Sequence, residues 1–297
     1  MAETYNCIKG LALQDDFLLA ALNEDIGTGD ITTDSCVPES ETISGKLIAK
    51  ETGIISGINV LNRVFSLLCD IKNENSLDDI TQQVTINALV NDGDRVEKGD
   101  IIATIEGSAR TILTGERTAL NLLQHLSGIA TKTAEAVSKV SGTKTKILDT
   151  RKTTPGLRAL EKYAVTCGGG TNHRFNLADG VLIKDNHIKA AGSITNAVNQ
   201  VRSNTPPNRA PSIEVETENL TQVEEALNAG ADIIMLDNMT PEMMTQAVKL
   251  IGGRALTEAS GNMGEKDLKA IAETGVDYIS IGALTHSVKA LDISLKF

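Results

Sequence analysis

From Lys146 onward the sequence alternates short apolar runs with longer amphipathic stretches, six times in succession. The runs are Lys146–Thr150, Val181–Lys184, Ser212–Glu216, Ile233–Asp237, Ala255–Ala259 and Tyr278–Gly282. Helical patterns separate and follow them at Leu157–Val165, Ile194–Val201, Leu220–Ala229, Pro241–Leu250, Lys266–Thr274 and Leu284–Ala290. Apolar runs this short suit strands covered on both faces, and strands that alternate with helices must lie parallel. A spacing of about 20 to 35 residues fits either a doubly wound sheet or a barrel. A barrel, complete or not, is the favoured architecture.

The residues before this series have a different rhythm. Asp15–Leu22 predicts a helix with acidic residues at its start, stopped by Gly27 and Gly29. Gly45–Ser56 suggests a hairpin, Asn59–Leu68 a helix, and Gln83–Val90 and Asp100–Glu106 strands flanking an Asp92-Gly93-Asp94 turn. A long helical pattern runs over Glu116–Val140, with an interruption expected near Gly128. The reading is an α/β chain with an N-terminal α+β domain over residues 1–113 and the α/β barrel domain over 114–297. Its 297 residues are enough for both cores.

Charge narrows the function. The chain carries a net charge of −11 and 2% aromatic residues with no Trp, which argues against nucleic acid or an anionic membrane as a partner. The longest unbroken apolar stretch is Phe17–Leu22, too short to cross a bilayer. The opening is acidic and the first Arg is Arg63, so neither a secretory signal nor an Arg-rich transit peptide is read there. Cys7, Cys36, Cys69 and Cys167 form no CxxC or metal-binding spacing, so the expectation is a cytoplasmic protein with reduced thiols. Against the acidic total, Lys144–Lys189 holds nine Lys or Arg and four Asp or Glu. Cations concentrated in one window suit a small anionic ligand.

In parallel α/β folds the working residues lie at the carboxyl ends of the strands. Here those ends carry Asp149-Thr150-Arg151-Lys152, Lys184-Asp185-Asn186-His187, Glu216, Asp237, Glu258-Ala259-Ser260-Gly261 and Gly282-Ala283. Taken singly, each has an ordinary reading. Arg151-Lys152 could be an exposed loop, Lys184 a strand cap, and Glu216 and Asp237 members of structural ion pairs. Ser260-Gly261-Asn262 and Gly282 could be turns, the Gly168–Gly170 run before His173-Arg174 a hinge, and His187 and His286 satisfied hydrogen-bonding residues. Convergence on one face favours a site. Arg and Lys donors suit carboxylates and phosphates, at about 1.5–3 kcal/mol per charge-assisted hydrogen bond. Carboxylates among such cations suit Mg²⁺ carried on substrate phosphates. The amides near Ser260 and Gly282 suit a phosphate after the last strands. Two other motifs are weaker. Glu24–Gly29 looks like a ribose-phosphate loop but follows a helix instead of a strand, and the Asp92–Asp100 hairpin looks like a lipoyl or biotinyl carrier but lacks a modification site.

These motifs together resemble the quinolinate phosphoribosyltransferase family (nicotinate-nucleotide pyrophosphorylase, carboxylating). The segments that carry the resemblance are A-L-N-E-D-I-G-T-G-D-I-T-T (Ala21–Thr33), G-E-R-T-A-L-N-L-L-Q-H-L-S-G-I-A-T (Gly115–Thr131), D-T-R-K-T-T-P-G-L-R (Asp149–Arg158) and the long run Cys167–His187. Shorter pieces are I-E-V-E-T, M-L-D-N-M, E-A-S-G-N and S-I-G-A-L-T-H-S. The resemblance implies an N-terminal α/β sandwich, an incomplete C-terminal TIM-like barrel, and a homodimer, with higher homo-oligomers left open. It also implies transfer of phosphoribose from phosphoribosyl pyrophosphate to quinolinate with Mg²⁺, on the route to NAD. By this resemblance Arg117 would reach a quinolinate carboxylate across the subunit interface. Arg151, His173, Arg174 and Lys184 would hold the dianion, and Lys152 the neighbouring anionic groups. Glu216 and Asp237 would meet ribose and Mg²⁺, while Ser260, Gly261, Gly282 and His286 would receive phosphates. Lys152, Lys184, Glu216 and Asp237 are the residues implied to act on the reacting groups. A related protein of the molybdenum-transport type, with another acceptor, is the alternative; the intact Arg117, Arg151, His173, Arg174 and Lys184 set disfavours it. The chain departs from the family pattern at Thr166, Asn176, Thr257 and Asn262, where Arg, Gly, Leu and Gly are usual.

Overall fold

The computed structural model describes residues 15–74, 83–205 and 212–297. The described chain divides into two compact units. One reaches to Ala134 and also holds Thr154–Gly169 and Ser287–Phe297; the other holds Glu135–Thr153 and Gly170–His286. A single cut after residue 113 does not describe this division, because two later segments return to the first unit.

In the first unit the strands β1 (Thr42–Ala49), β2 (Gly53–Ile54), β3 (Val84–Ala88), β4 (Arg95–Val96) and β5 (Ile101–Ser108) form two antiparallel groups. The larger sheet has the order C-terminal strand (Ile293–Lys296), β1, β5, β3. This explains the return of the last segment: it supplies the edge strand beside β1. It also corrects the expected Gly45–Ser56 hairpin. β1 is paired on both sides, with β5 and the C-terminal strand, whereas β2 pairs with β4. The C-terminal strand, and the helix Ile31–Cys36 capped by Asp30, were not legible beforehand.

Two carboxylates fix the helices of this unit. Asp92, in the anticipated turn, accepts the backbone N–H groups of Gly57 and Ile58 at 2.9 Å each, and so caps the helix Ile58–Glu74. Tyr163 Oη donates to its other oxygen at 2.8 Å. The turn that looked like part of a carrier hairpin is therefore a structural cap. Glu161 is fully buried, meets His125 Nε2 at 2.9 Å and accepts the Thr154 N–H at 3.0 Å, which ties the Arg158–Cys167 helix into the first unit. The helix Ala109–Lys139 runs without a break through Gly128. Glycine is required there for packing: a Cβ would lie 2.3 Å from the Lys289 carbonyl oxygen.

The second unit is built on β6 (Lys146–Leu148), β7 (Val181–Ile183), β8 (Ile213–Thr217), β9 (Ile233–Asp237), β10 (Leu256–Ser260) and β11 (Tyr278–Ser280). All pairings are parallel, in the order β6, β11, β10, β9, β8, β7. Consecutive strands are neighbours from β7 to β11, and β11 then pairs with β6. A doubly wound sheet would reverse direction at a switch point, whereas this order is that of a barrel with one open seam, between β6 and β7. The strands are apolar because both faces are covered: Val215, Ile234, Leu236, Ala259 and Ile279 are fully buried. The intervening helices start on side-chain caps where Ser193, Asn219, Thr240 and Asp267 accept backbone N–H groups. A helix at Asp185–Ala191, directly after β7, was not anticipated, and the expected Leu284–Ala290 helix is the shorter Ala283–His286.

Candidate active site

Because the strands run parallel, β6 to β11 bring their carboxyl ends to one rim, which gathers the second-unit candidates except His173 and Arg174, carried on the segment before β7. In sheet order the rim carries Lys184, Glu216, Asp237, Ser260, Gly282 and then Arg151 with Lys152. Lys184 and Glu216, on neighbouring strand ends, form an ion pair with Nζ 2.5 Å from Oε2. The helix Asp185–Ala191 after Lys184 is capped by His187, whose Nδ1 accepts the Lys184 N–H at 2.9 Å, so His187 is a satisfied hydrogen-bonding residue.

Asp237 is in register with Ser260. Asn238 follows in the left-handed region (φ 53°), and its amide Nδ2 donates to Asp237 Oδ2 at 2.7 Å. Its backbone N–H donates to the Ser260 carbonyl at 3.0 Å. Gly261 cannot carry a side chain, since a Cβ would fall 2.1 Å from Asn238 Oδ1. Asn262, where the family pattern has Gly, also takes a left-handed φ of 52°, a conformation that Asn tolerates. Thr257, where Leu is usual, donates to Asp277 Oδ2 at 2.8 Å. At the next end Gly282 is enclosed by Lys152 and His286, with Lys152 Cδ 3.0 Å and His286 Nε2 3.3 Å from where a Cβ would stand. Thr285 Oγ1 donates to the Lys152 carbonyl at 2.8 Å, fixing this corner.

The charges of the two arginines act on each other. Burial lowers the pKa of Arg174, and the positive charge of Arg151 lowers it further. Such a pair needs counter-charge beneath it, and the structure supplies this through Asp149 and Glu258, which stood among the strand-end residues without a role, and through Glu214, which sequence reasoning had not selected. Asp149, fully buried, accepts the His173 N–H at 2.8 Å and the Asn172 side-chain amide at 2.6 Å. His173 Nε2 lies 3.1 Å from Glu214 Oε2 and 3.5 Å from Glu258 Oε2, both carboxylates being almost fully buried. Burial, followed by repulsion from Glu258, pushes the Glu214 pKa up to about 7. Burial opposes a charge on His173, but hydrogen bonds to Glu214 and Glu258 push its pKa up to about 10. The cluster thus retains an extra proton. The Arg174 backbone N–H donates to His173 Nδ1 at 2.7 Å, so Nε2 is the ring nitrogen that carries hydrogen toward the carboxyl pair. A signal for Glu214 was present in I-E-V-E-T: two residues apart on a strand means one face, so if Glu216 is at the rim Glu214 lies deeper.

His173, Glu214 and Glu258 are the group of described residues whose ligand atoms are close enough to hold a metal. The tautomer speaks against it, because a metal on Nε2 requires Nδ1 to donate, and Nδ1 here faces a donor. Arg117 lies in the first unit, exposed on the helix Ala109–Lys139. Among the described residues no helix is long and apolar enough to cross a membrane.

An incomplete α/β barrel with cations, two carboxylates and small-residue loops at its carboxyl rim defines a class: enzymes that handle anionic, phosphorylated compounds. Sequence comparison makes this specific. The family profile "Quinolinate phosphoribosyl transferase, N-terminal domain" matches residues 30–127, and "Quinolinate phosphoribosyl transferase, C-terminal domain" matches 129–296. The chain is 48% identical over 272 residues to the probable nicotinate-nucleotide pyrophosphorylase (carboxylating) of Bacillus subtilis, covering 92% of this chain and 89% of that one. It is 44% identical over 285 residues to the nicotinate-nucleotide pyrophosphorylase (carboxylating) of Mycobacterium leprae, covering 94% and 95%. Its fold matches NadC from Streptococcus pyogenes with a TM-score of 0.87 and 44% identity, over 100% of this chain and 98% of that one. The chain belongs to the quinolinate phosphoribosyltransferase family.

Proposed function

We propose that this protein is a nicotinate-nucleotide pyrophosphorylase (carboxylating). It transfers phosphoribose from phosphoribosyl pyrophosphate to quinolinate and releases nicotinate mononucleotide, pyrophosphate and CO₂, in NAD biosynthesis. The observation that supports this reading, beyond family membership, is the gathering of Lys184, Glu216, Asp237, Arg151 and Lys152 at the strand ends of one rim.

Arg151, Arg174 and Lys184 hold the two carboxylates of quinolinate, with Arg117 reaching in from a second copy of the chain in a homodimer. Lys152, His286 and the backbone at Gly282, Ser260 and Gly261 receive the phosphates, and their charge and amide dipoles oppose the negative charge that develops on departing pyrophosphate. Glu216 and Asp237 face the ribose hydroxyls and stabilise positive charge on the ribose as it becomes oxocarbenium-like. These two carboxylates also fit Mg²⁺ brought in on phosphoribosyl pyrophosphate: they are hard oxygen donors at adjacent strand ends and too few to form a protein cage. Bound there, Mg²⁺ would offset phosphate charge. Substrate entry lets Lys184 exchange its contact with Glu216 for a quinolinate carboxylate.

The pyridine nitrogen attacks the anomeric carbon, so positioning and electrostatics do most of the work and no protein nucleophile is required. Once the nitrogen is quaternary its positive charge stabilises the carbanion left on the adjacent ring carbon as CO₂ departs, and a proton taken up from water at that carbon completes nicotinate mononucleotide. We place the protein in the cytoplasm, a reading supported by the free thiols of Cys36, Cys69 and Cys167.

Incubation with quinolinate, phosphoribosyl pyrophosphate and Mg²⁺ tests the proposal. Stoichiometric CO₂ and mononucleotide are expected, with little product from nicotinate, which lacks one carboxylate anchor. No product from quinolinate would reject it.

A further inference from the structure

The buried carboxylates beneath the rim have no assigned task, and their contacts define one. Asp149 stands two residues before Arg151 and binds the backbone of His173; His173 in turn precedes Arg174. The His173 ring spans the layer, with Nε2 directed to Glu214 on β8 and Glu258 on β10, and Nδ1 receiving the Arg174 N–H. Both ring nitrogens are thereby engaged inside the protein. One oxygen of each glutamate, Oε1, is buried without a hydrogen-bond partner, so neither carboxylate is there because its hydrogen bonds are ideal. Burial of this kind is costly unless it serves geometry or counter-charge.

We propose that Asp149, Glu214 and Glu258 are positioning residues which act through His173 as a strut, holding Arg151 and Arg174 at the spacing that accepts the two carboxylates of quinolinate. Two guanidinium groups that must converge on one dianion repel each other and would spread apart on a free loop. Here the segment bearing Arg174 is tied to β6 through Asp149 and to β8 and β10 through the imidazole. Negative charge below also offsets the positive pair above. On this account His173 contributes to quinolinate binding without touching it. The proposal thus gives His173 a different part from direct contact with the dianion, since its ring faces Glu214 and Glu258.

The proposal rests on the quinolinate reading of the rim, and the test separates the two. Steady-state KM values for quinolinate and for phosphoribosyl pyrophosphate, with kcat and melting temperature, are compared for wild type, Glu258→Ala, Glu258→Gln, His173→Gln and His173→Ala. Glu258→Ala should raise the quinolinate KM by about tenfold to 100-fold while changing the phosphoribosyl pyrophosphate KM less than about threefold, the scale on which small misplacements act. Glu258→Gln, which keeps an acceptor for Nε2–H, should restore most of the loss. His173→Gln reaches the two glutamates with an amide N–H and should stay within about tenfold of wild type, far above His173→Ala. This pair decides the matter should Glu258→Ala fail to fold. Equal rises in both KM values, wild-type kinetics in Glu258→Ala, or a His173→Gln as damaged as His173→Ala would each overturn the strut. A wild-type protein inactive with quinolinate would instead sink the functional reading, and the strut with it.

Discussion

The two ends of the parallel sheet use charge in opposite ways. At the amino end, charged side chains meet backbone or opposite charge. Asp277 Oδ1 pairs with Lys144 at 2.6 Å, and its Oδ2 accepts the N–H and hydroxyl of Thr257 at 2.9 and 2.8 Å. Asp232 accepts the Ile213 N–H at 2.8 Å, and Arg202 donates to the Ala229 and Gly230 carbonyls. At the carboxyl end, Arg174 lies beside Arg151, Lys152 crowds Gly282 with His286, and the Lys184–Glu216 pair is open to solvent on its lysine side. Charges that serve the fold are held by fixed partners, whereas at the rim Arg174 feels the like charge of Arg151 and Lys184 rests on a partner, Glu216, that a ligand can replace. This is how one sheet can be stable at one end and reactive at the other.

The difference predicts a split between activity and stability, largest for Arg151→Ala. Loss of a bidentate partner for a carboxylate removes two charge-assisted bonds, so kcat/KM should fall by about 10³-fold. The melting temperature should stay within about 2 °C of wild type, since removing one cation relieves repulsion on Arg174. Kinetics and calorimetry on one preparation check both halves. A variant that unfolds early would place Arg151 among the structural charges and break the contrast.

Lys184 and Glu216 give a smaller effect and a sharper distinction. If their contact were structural, the double exchange Lys184→Glu with Glu216→Lys would rebuild it. For a pair with separate duties toward an anion and a ribose, the exchange should leave kcat/KM down by about 100-fold and stability changed by less than about 1 kcal/mol. Recovery of activity in the exchanged protein would contradict the assignment.

Much of this contrast was legible in the sequence, because strand ends can be counted along the chain. The order of cations, carboxylates and small residues over Arg151, Lys184, Glu216, Asp237, Ser260 and Gly282 follows from six apolar runs and the rule that parallel strands finish on one side. The layer beneath was not legible. Glu214 shares a strand face with Glu216 and Glu258 stands near the end of β10, but that both meet His173 follows only from β8 and β10 flanking β9, a pairing with no local trace. The C-terminal strand was missed for a similar reason, since its short alternation of Ile293 and Leu295 gains meaning only from β1 as a partner. Gly128 misled in the other direction. A glycine in a helical pattern suggests a break, but here it admits the Lys289 carbonyl, a contact with no local trace. Local periodicity reveals elements and their ends, while long-range closure decides which buried polar groups share a space.

The amino end provides the smallest effect and the test of opposite sign. Lys144 and the Thr257 hydrogen bonds oppose the effect of burial on Asp277 and hold its pKa below the ordinary value of 3.8. A carboxylate with a folded-state pKa below its unfolded value stabilises the fold above the unfolded value, and that contribution is lost as pH falls through the folded one. Asp277→Asn should therefore lower stability by roughly 1–2 kcal/mol at neutral pH, where the bonds are intact, and the gap to wild type should close as pH drops below about 4. Urea unfolding at a series of pH values measures the gap directly. Meanwhile kcat/KM at neutral pH should remain within about twofold of wild type, because Asp277 lies before β11 at the end of the sheet remote from the rim. A constant gap at all pH values would show that the charge of Asp277 is not what stabilises this end. A large loss of activity with no loss of stability would reverse the roles of the two ends.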